Sequence, residues 1–491
     1  MTRIPLWVLA AQPIWAVGLS LILVSCCVGP NFDPPAPPKL TRATAQPLPP
    51  QTEGSRPQRL AEGDVPERWW TLFQSPQIDA LVDRALTANP DLQAAEAALR
   101  QAQESYLAQR GALFPSVDLG ASTTRQKDSA YLSPTLSSNA TLFSLQTAQV
   151  SVGYTLDLFG GVRRANEQAK AQAESQRYET EAAYVTLTAN VVAAAIQAAA
   201  LRDQADAAQD LVDLNRRSLA VMQDQLAVGQ VARADVAAQE AALAQAEAAL
   251  APLDKQLAQQ QDLLAALTGG YPETTPATAL RLADLKLPQD VPVSLPAQIL
   301  RRRPDVQAAE ANVHAASAAV GVAVANRLPQ FTIAGSAGGA AAQWGRLLST
   351  GNDLWSYSAS VAQPILQGGA LVHRQRAAEA ALDQAKAQYR SAVVAAVQNV
   401  ADALEALKAD ARGLDAAIIA EQRAQESLAI ARGQLAEGAI SGLALIQSEQ
   451  TYAQARQARV GAEGARLADT AALIQALGGD WWRRHRLADA R

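Results

Sequence analysis

The chain has 491 residues, of which 49% are hydrophobic and only 5% are aromatic, and its formal net charge is −5 with both signs interspersed. This balance lacks the basic stripe of a nucleic-acid-binding protein, so nucleic acid is excluded as a partner. The two cysteines are adjacent and the three histidines are scattered, which excludes a disulfide framework and gives no metal-ligand spacing.

Residues 1–25 form an apolar leader with a single early charge, Arg3. The leader ends in "LVSC", which is similar to a bacterial lipobox, and this predicts cleavage before Cys26 and acylation of that cysteine. Cys27 fits the pattern less well. Because residue 27 is not Asp, the resemblance implies an outer-membrane destination. The alternatives are an uncut membrane anchor and a plain secretory signal.

Residues 26–66 contain ten prolines between Pro30 and Pro66. Proline lacks a backbone N–H and cannot continue a helix, so this segment is expected to run extended. We interpret it as a strap that leads from the lipid anchor along the body of the protein. A disordered linker is the alternative.

The remaining chain contains nearly the same sequence twice. "NPDLQAAEA" begins at Asn89 and "RPDVQAAEA" at Arg303. The prolines that close these two segments, Pro115 and Pro329, are as many residues apart as Asn89 and Arg303. Gly229 and Gly438 are separated by an interval only slightly shorter. Such similar intervals predict a duplication. The first repeat is predicted at 67–270 and the second at 301–480, with a linker at 271–300 and a C-terminal tail at 481–491.

Each repeat is predicted to be mainly helical. A short helix of about 23 residues ends at a proline, and no Gly or Pro then occurs from Arg163 to Val228. A helix of that length would extend about 100 Å. Apolar residues spaced by four and three, with many alanines, favour closely packed coiled-coil helices. Gly229 and Gly438 permit turns from which a second helix returns.

Between the short and long helices, each repeat has two segments of alternating apolar and polar residues. They predict strands at 115–124 and 149–158 in the first repeat and at 330–338 and 355–365 in the second. Such strands suit a bilayer, where only a closed barrel leaves no unpaired edge. Four strands are too few for a barrel. Two copies would give eight strands and a filled lumen, whereas three would give twelve and an opening. An ordinary sheet in a soluble protein is the alternative.

Several motifs in order along the chain resemble the outer-membrane efflux protein family of TolC-like channels, and within it the NodT-type lipoprotein subgroup. They are "CCVGPNF" from Cys26, "WWTLFQSPQIDALVDRALTANPDLQAAEA" from Trp69, "LFPSVDL" from Leu113, "YTLDLFGGVRR" from Tyr154, "RPDVQAAEANVHAA" from Arg303 and "QPILQGG" from Gln363. The resemblance implies a homotrimer with a 12-strand transmembrane β-barrel on a 12-helix α-barrel. It also implies a periplasmic adaptor and an inner-membrane pump, often of the resistance-nodulation-division type, as partners.

The same resemblance points to one residue at the pore mouth. Family members often carry an aspartate six residues after the turn glycine, and Asp235 holds that position after Gly229. After Gly438 the equivalent residue is Ala444, and the further aspartate expected three residues on is Gln447. The alternative for Asp235 is a solvated residue in the first turn of a helix, where a negative charge is favourable.

Three functions compete at this point. A passive efflux duct in the outer membrane, exporting small molecules, needs two helical hairpins that each follow a strand pair, as here. A periplasmic adaptor lipoprotein would have one coiled-coil hairpin flanked by β-rich halves. An enzyme would need a nucleophile, metal or phosphate-binding motif, and the sequence has none that we identify. We therefore predict a duct without a cofactor, a bound metal or an activity of its own.

Overall fold

The computed structural model describes residues 27–36, 38, 40, 42, 44, 47–129, 131, 141–275, 277–293, 301–479 and 481. The leader, Cys26 and the tail beyond 481 lie outside the described residues. The chain forms two compact units. The first unit contains Leu99–Gln176 and Ala309–Tyr389 together with the described residues up to Pro35. The second unit contains the rest.

The described helices repeat at matching lengths. In chain order they are α1 (Pro76–Ala88), α2 (Pro90–Gly111), α3 (Gly161–Ala227), α4 (Arg233–Leu267), α5 (Pro304–Ala325), α6 (Ala370–Ala436) and α7 (Gly442–Ala476). Helices α2 and α5 have 22 residues each, α3 and α6 have 67, and α4 and α7 have 35. The two halves therefore agree in the length of each of these elements.

The described strands form two sheets. They are β1 (Arg59–Glu62), β2 (Ser116–Lys127), β3 (Leu142–Leu156), β4 (Asp290–Val293), β5 (Gln330–Ala341) and β6 (Asp353–Ala362). Strands β1 and β4 pair in parallel, and the other four form an antiparallel sheet in the order β2-β3-β5-β6. The four-stranded sheet thus consists of two hairpins, β2-β3 and β5-β6, joined by the pairing of β3 with β5.

The strands extend further toward the hairpin loops than their alternation predicts. Strand β2 ends at Lys127 rather than 124, β3 begins at Leu142 rather than 149, and β5 ends at Ala341 rather than 338. The backbone ladder continues as far as the pair Lys127 and Leu142. Pairing depends on backbone groups, so polar Ser, Thr and Gln side chains do not end a strand that has a partner.

The opposite ends of β3 and β6 are shorter than predicted. Strand β3 ends at Leu156 rather than 158, because the Asp157 carboxylate accepts the N–H groups of Val162 and Arg163 at 3.0 and 2.9 Å and so caps α3. Strand β6 spans Asp353–Ala362 instead of 355–365. Pro364 has no N–H to donate to a ladder, which explains the early end.

In each repeat the short helix meets the end of the returning helix. Asn89, just before α2, donates through Nδ2 to the carbonyl of Leu267, the last residue of α4, at 3.0 Å. Arg303, just before α5, donates to the carbonyl of Ala476 at the end of α7 at 2.8 Å. Two such helices of 22 and 35 residues approach the length of one helix of 67.

The hydrophobic core of the second unit surrounds the middle of α3. Trp69, Trp70 and Phe73, which form a 3₁₀ turn before α1, are buried there with alanines of α3. A Cβ on Gly464 of α7 would lie 2.7 Å from Cβ of Ala200, so these helices pack without space for a larger residue. By length and composition α3 and α5 could each cross a membrane, but 78% of the apolar stretch of α3 is buried within the protein, as in a core helix.

Part of the proline-rich segment 26–66 is fixed to the second unit. Its strand β1 pairs with β4 of the linker, and Gln58 donates to the carbonyl of Pro288 at 3.0 Å and to Oγ1 of Thr470 in α7 at 3.2 Å. Gln58 is fully buried. This portion therefore has a defined path between the linker and α7, and the sequence analysis did not predict either short strand.

Candidate channel wall and helical tips

One face of the four-stranded sheet is apolar from edge to edge. The strand register aligns two central rows across the sheet, Val117, Val152, Gly335 and Tyr357 in one and Leu119, Val150, Ala337 and Trp355 in the next. Their large side chains are exposed, Leu119 by 80% and Tyr357 by 82%. An apolar patch of this extent marks a surface that meets lipid or another protein.

The opposite face carries small and polar side chains. Asp118, Ser151, Ser336 and Ser356 form one row across the four strands. The hydroxyl oxygens of Ser336 and Ser356 lie 2.9 Å apart and share a hydrogen bond. A sheet that is apolar on one face and polar on the other is typical of strands with lipid outside and water inside.

The sheet has two edges, β2 and β6. Within the part of the chain that the structure describes, β2 pairs only with β3, and β6 pairs only with β5. The outward N–H and C=O groups of β2 and β6 have no strand partner in this sheet. In hydrocarbon each unpaired backbone group would cost several kcal/mol, so an open edge is incompatible with lipid.

Gly229 and Gly438 lie at the turns between α3 and α4 and between α6 and α7. Their φ angles are +75° and +74°. At each turn the residue after the glycine donates its N–H back into the long helix, from Gln230 to Gln225 and from Ala439 to Gln434, both at 2.8 Å. This left-handed helix ending favours glycine, which has no Cβ to clash.

Asp235 lies in the first turn of α4. Its Oδ2 accepts the N–H of Ala232 at 3.1 Å, so it caps the helix. It also lines a groove of about 600 Å³ between the two helical tips, together with Met222. At the second tip Ser441 is the cap, and its Oγ accepts the N–H of Ala444 at 3.4 Å. The two tips therefore differ in charge at this level, and the role of Asp235 at a pore mouth stays a prediction.

The first residues after Cys26 contact the first unit. Arg164 of α3 is almost fully buried, and its guanidinium donates to the Val28 carbonyl at 3.1 Å and to Oδ1 of Asn31 at 2.7 Å. Phe32 stacks on His314 of α5 with ring centroids 4.3 Å apart. We call residues 27–32 the N-terminal segment; it has a built contact site within this unit.

Glu167 joins the side chains that hold this segment. Its carboxylate accepts from Arg164 at 2.8 Å and contacts Nε2 of His314 at 2.9 Å. Burial raises the pKa of Glu167, but the hydrogen bonds and positive charge of Arg164 and His314 outweigh burial and leave that pKa below its usual value. The ionised carboxylate thus stabilises this contact.

A buried charged cluster in the second unit was not predicted. Arg466 of α7 is only 1% exposed and donates to Oε1 of Gln58 at 3.3 Å and to the Arg56 carbonyl. Burial, and the hydrogen bond and charge of Asp469, raise the pKa of Asp410 to about 7 despite the nearby Arg466. Charged residues on an Ala-rich helix usually face solvent. Because Arg466, Gln58 and Asp410 are far apart in sequence, their spacing did not indicate that they lie together in the fold.

The fold and the two faces of the sheet are those of an outer-membrane channel protein. The family model described as outer membrane efflux protein matches residues 81–270 and 295–479, which are most of the chain. The chain belongs to this family, and the resemblance to the outer-membrane efflux protein family stated from its motifs is confirmed. The two matched stretches leave residues 271–294 unmatched between them.

Curated relatives match along nearly the full length. The pyoverdine export outer membrane protein OpmQ of Pseudomonas putida is 28% identical over 467 residues, which are 94% of this chain and 96% of the relative. The toluene efflux pump outer membrane protein TtgC of Pseudomonas putida is 28% identical over 473 residues, 94% of each chain.

Solved structures share the fold. The outer-membrane channel OprN has a TM-score of 0.82 at 26% identity and covers 93% of this chain and 100% of its own. The Campylobacter jejuni CmeC outer membrane channel has a TM-score of 0.85 at 20% identity over 94% of this chain and 98% of its own, which supports the fold alone.

The comparisons therefore confirm the duct rather than the adaptor. The protein is an efflux channel of the bacterial outer membrane with a long periplasmic helical extension. Its family is one of transport proteins.

Proposed function

We propose that three copies assemble into a closed 12-strand β-barrel in the outer membrane. The observation that carries this proposal is the sheet with an apolar face and two open edges. Lipid tolerates spanning strands only in a closed barrel, and one chain supplies four of them. An eight-strand barrel from two copies would be filled by side chains, whereas twelve strands leave room for a lumen.

The helices would continue this barrel as a periplasmic tunnel. A helix of 67 residues extends about 100 Å at 1.5 Å per residue. Each chain supplies two such helices, α3 and α6, and two helix pairs that meet end to end, so three chains would supply a 12-helix α-barrel. The joints at Asn89 and Arg303 support this proposal, because they connect each short helix to the returning one.

The duct would work passively with two protein partners. A periplasmic adaptor would bind the helical tips at Gly229 and Gly438, where the groove beside Asp235 combines a carboxylate with apolar side chains. An inner-membrane pump, of the resistance-nodulation-division type, would load the tunnel with small molecules. No cofactor takes part, since the duct only conducts what the pump delivers.

Acylation of Cys26 would anchor each chain in the outer membrane. The N-terminal segment begins one residue later and is held by Arg164 and His314. The acyl chains would therefore have a short tether to the first unit. Replacing Cys26 with Ala should abolish acylation, and acyl chains still attached to that variant would rule out this anchor.

Conductance in planar bilayers tests the duct. Purified protein should give discrete conductance steps, and three Asp235 side chains at the tunnel mouth should favour cations. Asp235→Asn should reduce cation selectivity, whereas Asp254→Asn, an exposed acid further along α4, should leave it unchanged. Inserted protein without discrete steps would contradict the duct, while equal selectivity of both variants would contradict only the pore-mouth role.

A further inference from the structure

The polar face of the four-stranded sheet carries one charged side chain. The register that aligns the apolar rows also aligns the alternate rows, which contain residues such as Ser122, Gln149, Thr332 and Ser358. Within the strands that the structure describes, every residue of this face is uncharged except Asp118 of β2. The polar face therefore has a single fixed charge, and this charge is negative.

No cation neutralises Asp118 among the described residues. Its side chain is exposed and belongs to no ion pair. The two basic residues of β2, Arg125 and Lys127, occupy rows of the apolar face. Arg125, the nearer of the two along the strand, is about 24 Å away at a rise of about 3.4 Å per residue. The field of the Asp118 carboxylate is therefore screened only by water and salt.

Small side chains surround Asp118 on the polar face. Its own row contains Ser151, Ser336 and Ser356, and the next residue of β2 on this face is Gly120. A serine ends at Oγ, one bond beyond Cβ, whereas the carboxylate oxygens of an aspartate lie two bonds beyond Cβ. In a barrel with this face inward, the carboxylate of Asp118 would therefore lie closer to the axis than any other group of its row.

Three copies would place three such carboxylates around one lumen. A 12-strand barrel, with strands about 4.8 Å apart and tilted by about 40°, has a backbone radius of about 12 Å. An aspartate carboxylate that points inward then lies about 9 Å from the axis, within the Debye length of about 10 Å at 0.1 M salt. The three carboxylates would be about 15 Å apart, too far to coordinate one metal ion at about 2.0–2.6 Å.

We propose that Asp118 is a charge-selectivity residue of the barrel, and that the duct passes cationic small molecules in preference to anionic ones. This inference rests on the proposed trimeric duct and adds the charge class of its cargo. Rings of acidic side chains favour cations in channels. At 0.1 M salt, three screened unit charges at about 9 Å enrich a monovalent cation over an anion on the axis by roughly 5-fold. The preference acts through local concentration, without a bound state.

Reversal potentials in planar bilayers test the proposal on the assembled channel. An Asp235→Asn background removes the charge proposed at the helical tips. In KCl gradients near 0.1 M, Asp118→Asn should lower the ratio of K⁺ to Cl⁻ permeability by ~5-fold, and the charge reversal Asp118→Lys should lower it by ~25-fold. Near 1 M KCl the Debye length falls to about 3 Å, so the background protein and both variants should then give the same ratio.

Asp353→Asn is the matched control. Among the described residues of the four strands Asp353 is the other acid, and it lies opposite Gly339 in a row of the apolar face. The substitution removes the same charge from the outside of the barrel, where salt screens it from the lumen, so the permeability ratio should stay within ~1.5-fold of the background protein. Equal decreases in Asp118→Asn and Asp353→Asn would overturn the role of Asp118.

A thiol reporter measures the potential near Asp118 independently of conductance. Ser336 lies in the row of Asp118 two strands away, about 10 Å at the spacing of paired strands. In a Cys27→Ser background, Ser336→Cys should react with a cationic and an anionic methanethiosulfonate of similar size. Adding Asp118→Asn should lower the ratio of the cationic to the anionic rate by ~5-fold at 0.1 M salt. Val152→Cys, on the apolar face, should react with neither reagent.

The outcomes separate the role of Asp118 from the duct itself. Permeability and rate ratios that Asp118→Asn leaves unchanged at low salt would overturn the selectivity role and leave the duct intact. A reactive Val152→Cys together with an unreactive Ser336→Cys would mean that the two faces of the sheet are reversed, which would contradict both the proposed barrel and the role of Asp118.

Discussion

A charge placed on the apolar face of the sheet should prevent stable insertion, and the same charge one residue away should not. Val152 lies in a central row of the apolar face, and Ser151 lies at the same depth on the polar face, opposite Asp118. Arg at the lipid-facing midplane of a barrel costs about 2–4 kcal/mol per chain. Val152→Arg should therefore lower the folding equilibrium constant by roughly 30- to 700-fold per chain, at about 1.4 kcal/mol per factor of ten.

The matched control is Ser151→Arg, whose guanidinium would enter the wet lumen beside the Asp118 carboxylate. Refolding into lipid vesicles across a urea series, followed by tryptophan fluorescence, measures both variants against the parent. We expect a large loss of stability for Val152→Arg and less than ~1 kcal/mol for Ser151→Arg. Equal losses, or a larger loss for Ser151→Arg, would refute the assignment of the apolar face to lipid.

Three further predictions concern other parts of the chain. Arg164→Ala removes the donors that hold the N-terminal segment, so a protease should cut that segment faster, and unchanged cleavage would contradict its docking. Gly229→Ala should destabilise the helical tip by ~1 kcal/mol because φ is positive there, whereas Gly433→Ala, inside a helix with open space around it, should be neutral or stabilising in thermal melts. The pKa of Asp410, raised to about 7, means that the folded state holds the carboxyl proton more tightly than the unfolded state. The protonated carboxyl therefore stabilises the fold fully below its usual pKa of 3.8, and this stabilisation is lost as the pH rises through about 7. In thermal melts from pH 5 to 8, Asp410→Asn should remove this pH-dependent loss of stability, which we expect to be ~1–2 kcal/mol after allowance for partial exposure. An unchanged pH dependence in the variant would contradict the assignment to Asp410.

The sequence predicted the parts of the fold that depend on local periodicity. Gly229 and Gly438 are the turn positions, because a helix ending of that kind needs a positive φ. Helix α3 follows from a stretch without Gly or Pro, α6 from its place in the repeat, and the strands from alternation.

The features that sequence alone did not predict depend on contacts between distant residues. Strand β3 begins in a polar stretch because β2 supplies a partner for its backbone. The core around Trp69 and Trp70 forms only when α3 passes beside it, and nothing local indicates that packing. Arg466 is buried because a strap residue, Gln58, satisfies its donors from more than 400 positions away. Spacing along one helix contains no record of such partners.

The mass of the protein extracted in detergent tests the central claim most directly. A sheet with two open edges and an apolar face cannot enclose water in lipid as a single chain, so native mass spectrometry should find three polypeptides per particle. A stable monomer that needs no detergent would contradict the channel.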